Sequence, residues 1–390
     1  MLVKKILLCL CVLSVLAACG GHERKNSHSA SMAENGSNKS IVFAFLPGTD
    51  NDDAYRQGIE LALAEANDKK INIGGRSAHF TLDTATKQQS LHMDRAIGKQ
   101  HWSVLMGYAG LPEEKSTHIA LPVMALGDDA AYVASDSPNS ESTPVFHLQP
   151  TVVQQGQLLA RYLLQQNDVR RVAIISNGQH PLLVSALHDQ LQQGGKNTTV
   201  YVLDKVHNTQ LQQLMAQLQT NVPDLVFYSG DGKSAVRLLR RMQQARLLVP
   251  VMLTAEAKTN RFIQQAGDYA QASMAMVPGL ALTQIKNNDV FAQAYRQRFE
   301  QDPNIAAVYG YDAAWVVITA MKLANSAEPA SFLPKLQSLN MATGLLSGPL
   351  TFDNRGWRNE AAMTIYQVED GEWKLADSLT GTPNQKAGTP

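Results

Sequence analysis

The chain has 390 residues, 34 of them basic and 34 acidic, and a formal net charge of zero at pH 7. No basic field is present to hold nucleic acid by its phosphates, so that class of partner is excluded. Hydrophobic residues at 44% and charged residues at 17% are the balance of a soluble globular protein, and the length suits two domains.

Residues 1–18 read as a leader. Lys4 and Lys5 precede an uncharged apolar run from Ile6 to Leu16. That run is shorter than the ~20 residues a helix needs to cross a bilayer and suits a secretory signal. Ala17 and Ala18 then lead into Cys19. This order resembles the lipobox of bacterial lipoproteins, which implies cleavage before Cys19 and lipid on its thiol. The chain's cysteines are Cys9, Cys11 and Cys19. Everything after Cys19 therefore lacks a thiol for a disulfide, a thiolate metal site or a cysteine nucleophile. A chain this long can bury enough core to fold outside the cytoplasm without disulfides. Residues 19–40 are almost free of apolar side chains after the cysteine and read as a tether.

From residue 41 onward, short β-branched runs alternate with helical patterns. "IVFAFLPG" (41–48) is a strand ending in a turn. In 53–69, Ile59, Ala62, Leu63 and Ala66 share one helical face. Strands follow at 78–84, 102–107 and 121–127, then a helix at 154–167 and a strand at 170–178. A helix containing "HDQLQQ" (188–193) and a strand at 198–206 come next. The series continues with a helix at 209–220, a strand at 223–230, a helix at 233–247 and a strand at 249–255. Such alternation predicts parallel sheets with helices on both faces, and hence an α/β fold of two doubly wound, Rossmann-like lobes. Ligands of these sheets bind beyond the carboxyl ends of the strands. The turns at 47–48, 107–110, 127–129, 177–180, 229–231 and 255–257 are therefore the places to look.

Several chemistries lack their motifs. No GxGxxG follows the first strand, and no GxxxxGK[ST] or GxSxG occurs. The ten histidines are scattered without HExxH spacing. No catalytic residues, metal site or cofactor are expected, and the lack of any nucleophile–base motif speaks against an enzyme. The adjacent pairs Asp52-Asp53 and Glu113-Glu114 point apart on a helix and read as helix-start or solvated charges. The glutamine-rich stretches at 154–166 and 209–219 read as solvated faces. Asp128, Asp129, Asp231 and Glu256 stand at strand ends. Each alone could be a helix cap, but together they make a cleft between two lobes acidic and suited to a cationic ligand.

The segment 223–257, "PDLVFYSGDGKSAVRLLRRMQQARLLVPVMLTAEA", resembles the second lobe of type I periplasmic binding proteins, in the leucine/isoleucine/valine-binding branch. "AAVYGYDAAWVVITAMKLA" (306–324) is similar to that family's "TYDA" helix. "SGPLTFDNRGWRNEAAMTIYQVEDGEW" (347–373) is similar to its closing hairpin. The resemblance implies two lobes joined by three crossovers. The first would be 41–148 plus 280–345, the second 149–279 plus 346–378, with a loose tail at 379–390. It also implies a monomer that carries a small solute to the membrane permease of an ATP-binding-cassette importer. The lipid on Cys19 would hold it on the periplasmic side of a membrane.

In amino-acid binders of that family a second-lobe glutamate holds the ligand ammonium, and Glu256 sits at that place. Tyr311, or Tyr309, corresponds to a tyrosine near the "TYDA" helix start. Where the family places a serine-bearing turn, this chain has Tyr108 and Ala109. Where it places "PGAT", this chain has Asp128 and Asp129, which would repel a ligand carboxylate. The expected ligand is therefore amino-acid-like, an amine, an amide or a small peptide. The alternative is an envelope lipoprotein that uses the same fold to regulate a protein partner such as a cell-wall synthase.

Overall fold

The computed structural model describes residues 40–49, 51–86, 93–107, 121–127, 144–203 and 208–381. Its first sheet is built from β1 (Ile41–Leu46), β4 (Phe80–Thr84), β5 (Trp102–Gly107), β6 (Val123–Ala125) and β7 (Val145–His147). These strands lie parallel in the order β4-β1-β5-β6-β7. Helix α1 (Asp52–Asp68), a small hairpin of β2 (Asn72–Ile73) and β3 (Arg76–Ser77), and α2 (Met93–Gln100) connect the early strands. The "IVFAFL" run is apolar at every position because both faces of β1 are covered. Phe43 and Phe45 enter one core, Ala44 and Leu46 the other, as the two-residue period of a strand requires.

The second sheet follows α3 (Val152–Gln165). Its parallel strands are β8 (Arg171–Ser176), β9 (Asn197–Val202), β10 (Leu225–Ser229), β11 (Val251–Leu253) and β12 (Met274–Pro278). They alternate with α4 (Pro181–Gln193), α5 (Asn208–Thr220), α6 (Gly232–Gln244) and α7 (Asn260–Ala266). The chain then makes α8 (Asn288–Phe299), α9 (Ile305–Ala324), α10 (Pro329–Gln337) and the pair β13 (Asn340–Met341) and β14 (Leu350–Thr351). It ends in an antiparallel hairpin of β15 (Ala361–Glu369) and β16 (Glu372–Gly381). The second sheet runs β16-β15-β12-β11-β10-β8-β9. Strand β16 continues through Gly381, which pairs with Ala361, so the ordered chain passes the expected boundary at 378.

Helix α9 is apolar around nearly its whole circumference because it is enclosed by the first core. Ala313, Val317, Ile318 and Met321 pack there with Phe43, Phe45 and Ile59. Within the described residues the chain passes between the two sheets three times, near 148–151, 279–281 and 346–360. Arg358 ties two of these passages together. It is 4% exposed, and its guanidinium donates to the carbonyls of Leu148, Ser347 and Pro349 and to the Ser347 hydroxyl. The Ser347 backbone N–H in turn donates to buried Asp312 at 2.7 Å. The third passage is held where Thr364 Oγ1 donates to the carbonyl of Gly279 at 2.7 Å.

Gln154 and Gln155 correct the reading of a solvated glutamine face. Both are buried. Gln154 completes a capping box with Thr151 at the start of α3, and its Nε2 also donates to the carbonyl of Arg358 at 2.8 Å. Gln155 Nε2 donates to the carbonyl of Pro150 at 3.0 Å. A glutamine at N3 of a helix is worth more to the backbone than to water.

Candidate ligand-binding site

In both sheets the first strand has its successor on one side and a later strand on the other. The crevice at such a reversal lies between β1 and β5 in the first sheet and between β8 and β10 in the second. The loops at the carboxyl ends of these strands border it.

The second-sheet loops form a single bonded cluster. The backbone N–H of Asn177 donates to the carbonyl of Ser229 at 3.1 Å. The carbonyl of Gln179 accepts from Ser176 Oγ at 3.4 Å and from Ser229 Oγ at 3.2 Å. The loop after β8 is therefore fastened to both β8 and β10. Gly230 follows β10 where no larger residue fits, since a Cβ there would lie 2.6 Å from Tyr228 Oη and 2.7 Å from Asn177. Thr254, at the end of β11, donates its hydroxyl to the carbonyl of Gly230 at 3.3 Å.

Two expected acids meet in this cluster. Asp231 caps α6, its Oδ1 accepting from the backbone N–H of Ser234 at 2.9 Å. Its Oδ2 accepts from Asn177 Nδ2 at 3.3 Å. Burial works to raise the Asp231 carboxyl, but the bonds from Ser234 outweigh it and hold the group below its ordinary value. Glu256 lies in the short 3-10 turn after β11 and carries a side chain 37% exposed. Its Oε1 stands 2.8 Å from Nε2 of His180. Burial again acts upward on Glu256, and the bond to His180, helped by Thr254, outweighs it and lowers the carboxyl. Tyr228 lies behind these loops, fully buried. Its hydroxyl forms no hydrogen bond, and burial pushes it above its ordinary value.

The first-sheet loops are bonded inward as well. The N–H groups of Gly48 and Thr49 donate to Asp52 at 2.7 and 2.9 Å, and the Thr49 hydroxyl adds a third bond at 2.9 Å. The N–H of Gly127 donates to Gln149 Oε1 at 2.7 Å. Gln149 Nε2 donates to Tyr55 Oη at 2.9 Å. Gln149 thus joins the end of β6 to the start of α1 at the passage between the sheets.

The expected site residues therefore separate. Asp231 and Glu256 come together with Asn177 and His180. Tyr311 goes elsewhere: its hydroxyl donates to Glu65 of α1 at 2.9 Å, and its ring packs on Phe291 and Trp315. Tyr309 is buried with its hydroxyl beside Gly279. Tyr108, Ala109, Asp128, Asp129 and Cys19 lie outside the described residues. Sequence reasoning missed His180, Gln149 and Arg358. For His180 a signal existed, since it closes a turn at a strand end. For the other two no motif marks the role.

Among the described residues no group of three or more His, Cys, Asp or Glu is placed to hold a metal ion. No described helix is long and apolar enough to cross a membrane. A groove of about 490 Å³ opens at the other ends of β11 and β12, lined by Leu247, Leu248, Tyr269 and Met274. It is remote from the strand-end cluster.

A model of the family described as periplasmic binding protein matches residues 47–372. The leucine-specific-binding protein of Salmonella typhimurium (strain LT2) is 25% identical over 205 residues, which are 52% of this chain and 54% of that protein. The leucine-specific-binding protein of Salmonella typhi gives the same figures. The chain thus spans about half the length of the curated relatives it matches. An ABC transporter substrate-binding protein of Desulfitobacterium hafniense, solved in complex with Leu, has a TM-score of 0.69 at 19% identity, covering 87% of this chain and 100% of its own. A solute-binding protein of R. palustris, solved in complex with benzoate, has a TM-score of 0.64 at 15% identity, covering 90% and 99%. A protein of Silicibacter pomeroyi assigned to a branched-chain amino acid ABC transporter reaches 0.72 at 18% identity, covering 90% and 98%. These likenesses establish the shared fold.

Proposed function

We propose, since this chain belongs to the periplasmic binding protein family, that it is a solute-binding protein of an ATP-binding-cassette importer. The observation that carries this is the family match across residues 47–372, joined to a bonded cluster at the strand ends of the second sheet. The two lobes, at 41–148 plus 280–345 and 149–279 plus 346–381, close on a small amino-acid-like, amine or amide ligand by hinge motion. Asn177, His180, Asp231 and Glu256 form the second-lobe wall. Tyr108, Ala109, Asp128 and Asp129 supply the first-lobe wall. Tyr311 belongs to the packing of helices instead. The chain works outside the cytoplasm as a monomer, held to a membrane by lipid on Cys19, and hands its solute to a permease.

One observation favours a second reading. The described donors and acids at both strand ends are bonded within the chain: Gly48 and Thr49 to Asp52, Gly127 to Gln149, and His180 to Glu256. A cleft satisfied by its own side chains suits an envelope lipoprotein that binds a protein partner. Uptake of radiolabelled amino acids and their amides, by cells with and without the chain, separates the two. Loss of one uptake supports the importer. Unchanged uptake across the panel supports the partner-binding lipoprotein.

A further inference from the structure

Glu256 is the acid that a ligand ammonium would meet, and an imidazole is already on it. Three features make this a built arrangement. First, His180 directly precedes Pro181, the first residue of α4, and has φ 52° and ψ 51°. A residue other than glycine rarely adopts this left-handed conformation, and where it does the surroundings hold it there. A residue in this position ordinarily is extended and turns its side chain back to cap the helix. His180 makes no such cap bond; its ring goes to Glu256. Second, the preceding carbonyl, Gln179, is bonded to Ser176 and Ser229, so the backbone that presents the ring is fastened to both β8 and β10. Third, Asp231 is committed to capping α6 and to Asn177.

We propose that His180 is a specificity-determining residue that takes the place of a ligand cation on Glu256, so that the cleft takes amino-acid-sized solutes lacking a free ammonium group, with the neutral amide as the type. The inference rests on the solute-binding reading. An ammonium reaching Glu256 has to displace the imidazole and lose one charge-assisted hydrogen bond to gain another. A neutral amide can bond to the outer edge of the pair and leave it intact. Removal of the ring frees Glu256 for an ammonium.

The test is titration calorimetry with compounds that differ only in the amino group. The pairs are 4-methylpentanamide with leucinamide, 4-methylpentanoate with leucine, and 3-phenylpropanamide with phenylalaninamide. Each is titrated into the wild-type protein, His180→Ala and His180→Asn, the last because asparagine tolerates left-handed backbone. In the wild type the exchange of imidazole for ammonium gives the amino group no net hydrogen bond, so the ammonium-bearing member of a pair is expected to bind no more tightly than the deaminated one. In both variants Glu256 is open, and the ammonium-bearing member should gain about tenfold or more relative to its partner, the factor one charge-assisted hydrogen bond carries. A preference unchanged in the variants, or an ammonium-bearing member preferred by the wild type, overturns the role of His180 while leaving solute binding in place. No binding of any compound to any of the three proteins overturns the solute-binding reading, and the inference with it.

Discussion

Gly58 of α1 lies directly against the backbone carbonyl of Ala307 in α9, so close that a Cβ at position 58 would fall inside that oxygen's contact radius. The same crossing places Gly310 against the carbonyl of Tyr55. Two helices that meet through glycines approach more closely than any side chain allows, and this crossing seats α9 in the first core.

A prediction of sign follows from that contact. On helix propensity alone, Gly58→Ala would stabilise by about 1 kcal/mol. Here the added methyl meets backbone, which cannot rotate aside, and overpacking of this kind costs about 1–3 kcal/mol. Gly58→Ala is therefore expected to lower stability in urea unfolding, with a lower midpoint and an unchanged slope. A variant more stable than the parent would show that the helices part easily at this crossing.

His147 gives the fold a pH dependence. It lies in β7, 8% exposed. Burial, opposed only in part by Asp353, lowers its pKa from 6.5 to about 4. Between those values the unfolded chain binds a proton that the native chain does not. Stability therefore falls as pH drops through this window, by about 3 kcal/mol in all. His147→Gln should flatten that part of the curve. Unfolding curves for parent and variant that keep a constant separation from pH 7 to pH 4 would remove His147 as the cause.

Cys19 carries the proposal of a lipid anchor. Metabolic labelling with palmitate should mark the wild-type chain and not Cys19→Ala, and the variant should leave the membrane fraction. Label retained on the alanine variant contradicts the lipobox.

Much of the fold was legible because strand and helix have different apolar periods. The run 102–107 has the limits of β5, and Ile59, Ala62, Leu63 and Ala66 all reach the core expected of them. Short elements were harder. Helix α7 has seven residues, too few for its period to stand out. The strand-end positions of Asp231 and Glu256 were legible because each acid follows an apolar run and starts the next turn. The partner of Tyr311 was not, because helical spacing gives a residue's face but not its neighbour; its hydroxyl turns to Glu65. The pairing of His180 with Glu256 joins residues 76 positions apart. Nothing local in either stretch announces the other.

Capture of a small solute by the cleft is read from the thermal unfolding midpoint of the purified protein against amino acids, their amides, simple amines and short peptides. A ligand at about 100 times its dissociation constant adds about 2.7 kcal/mol of stability, which for a protein of this size raises the midpoint by at least about one or two degrees. Such a rise is expected with one chemical class and with none of the others. A midpoint that stays fixed across the panel would contradict solute capture.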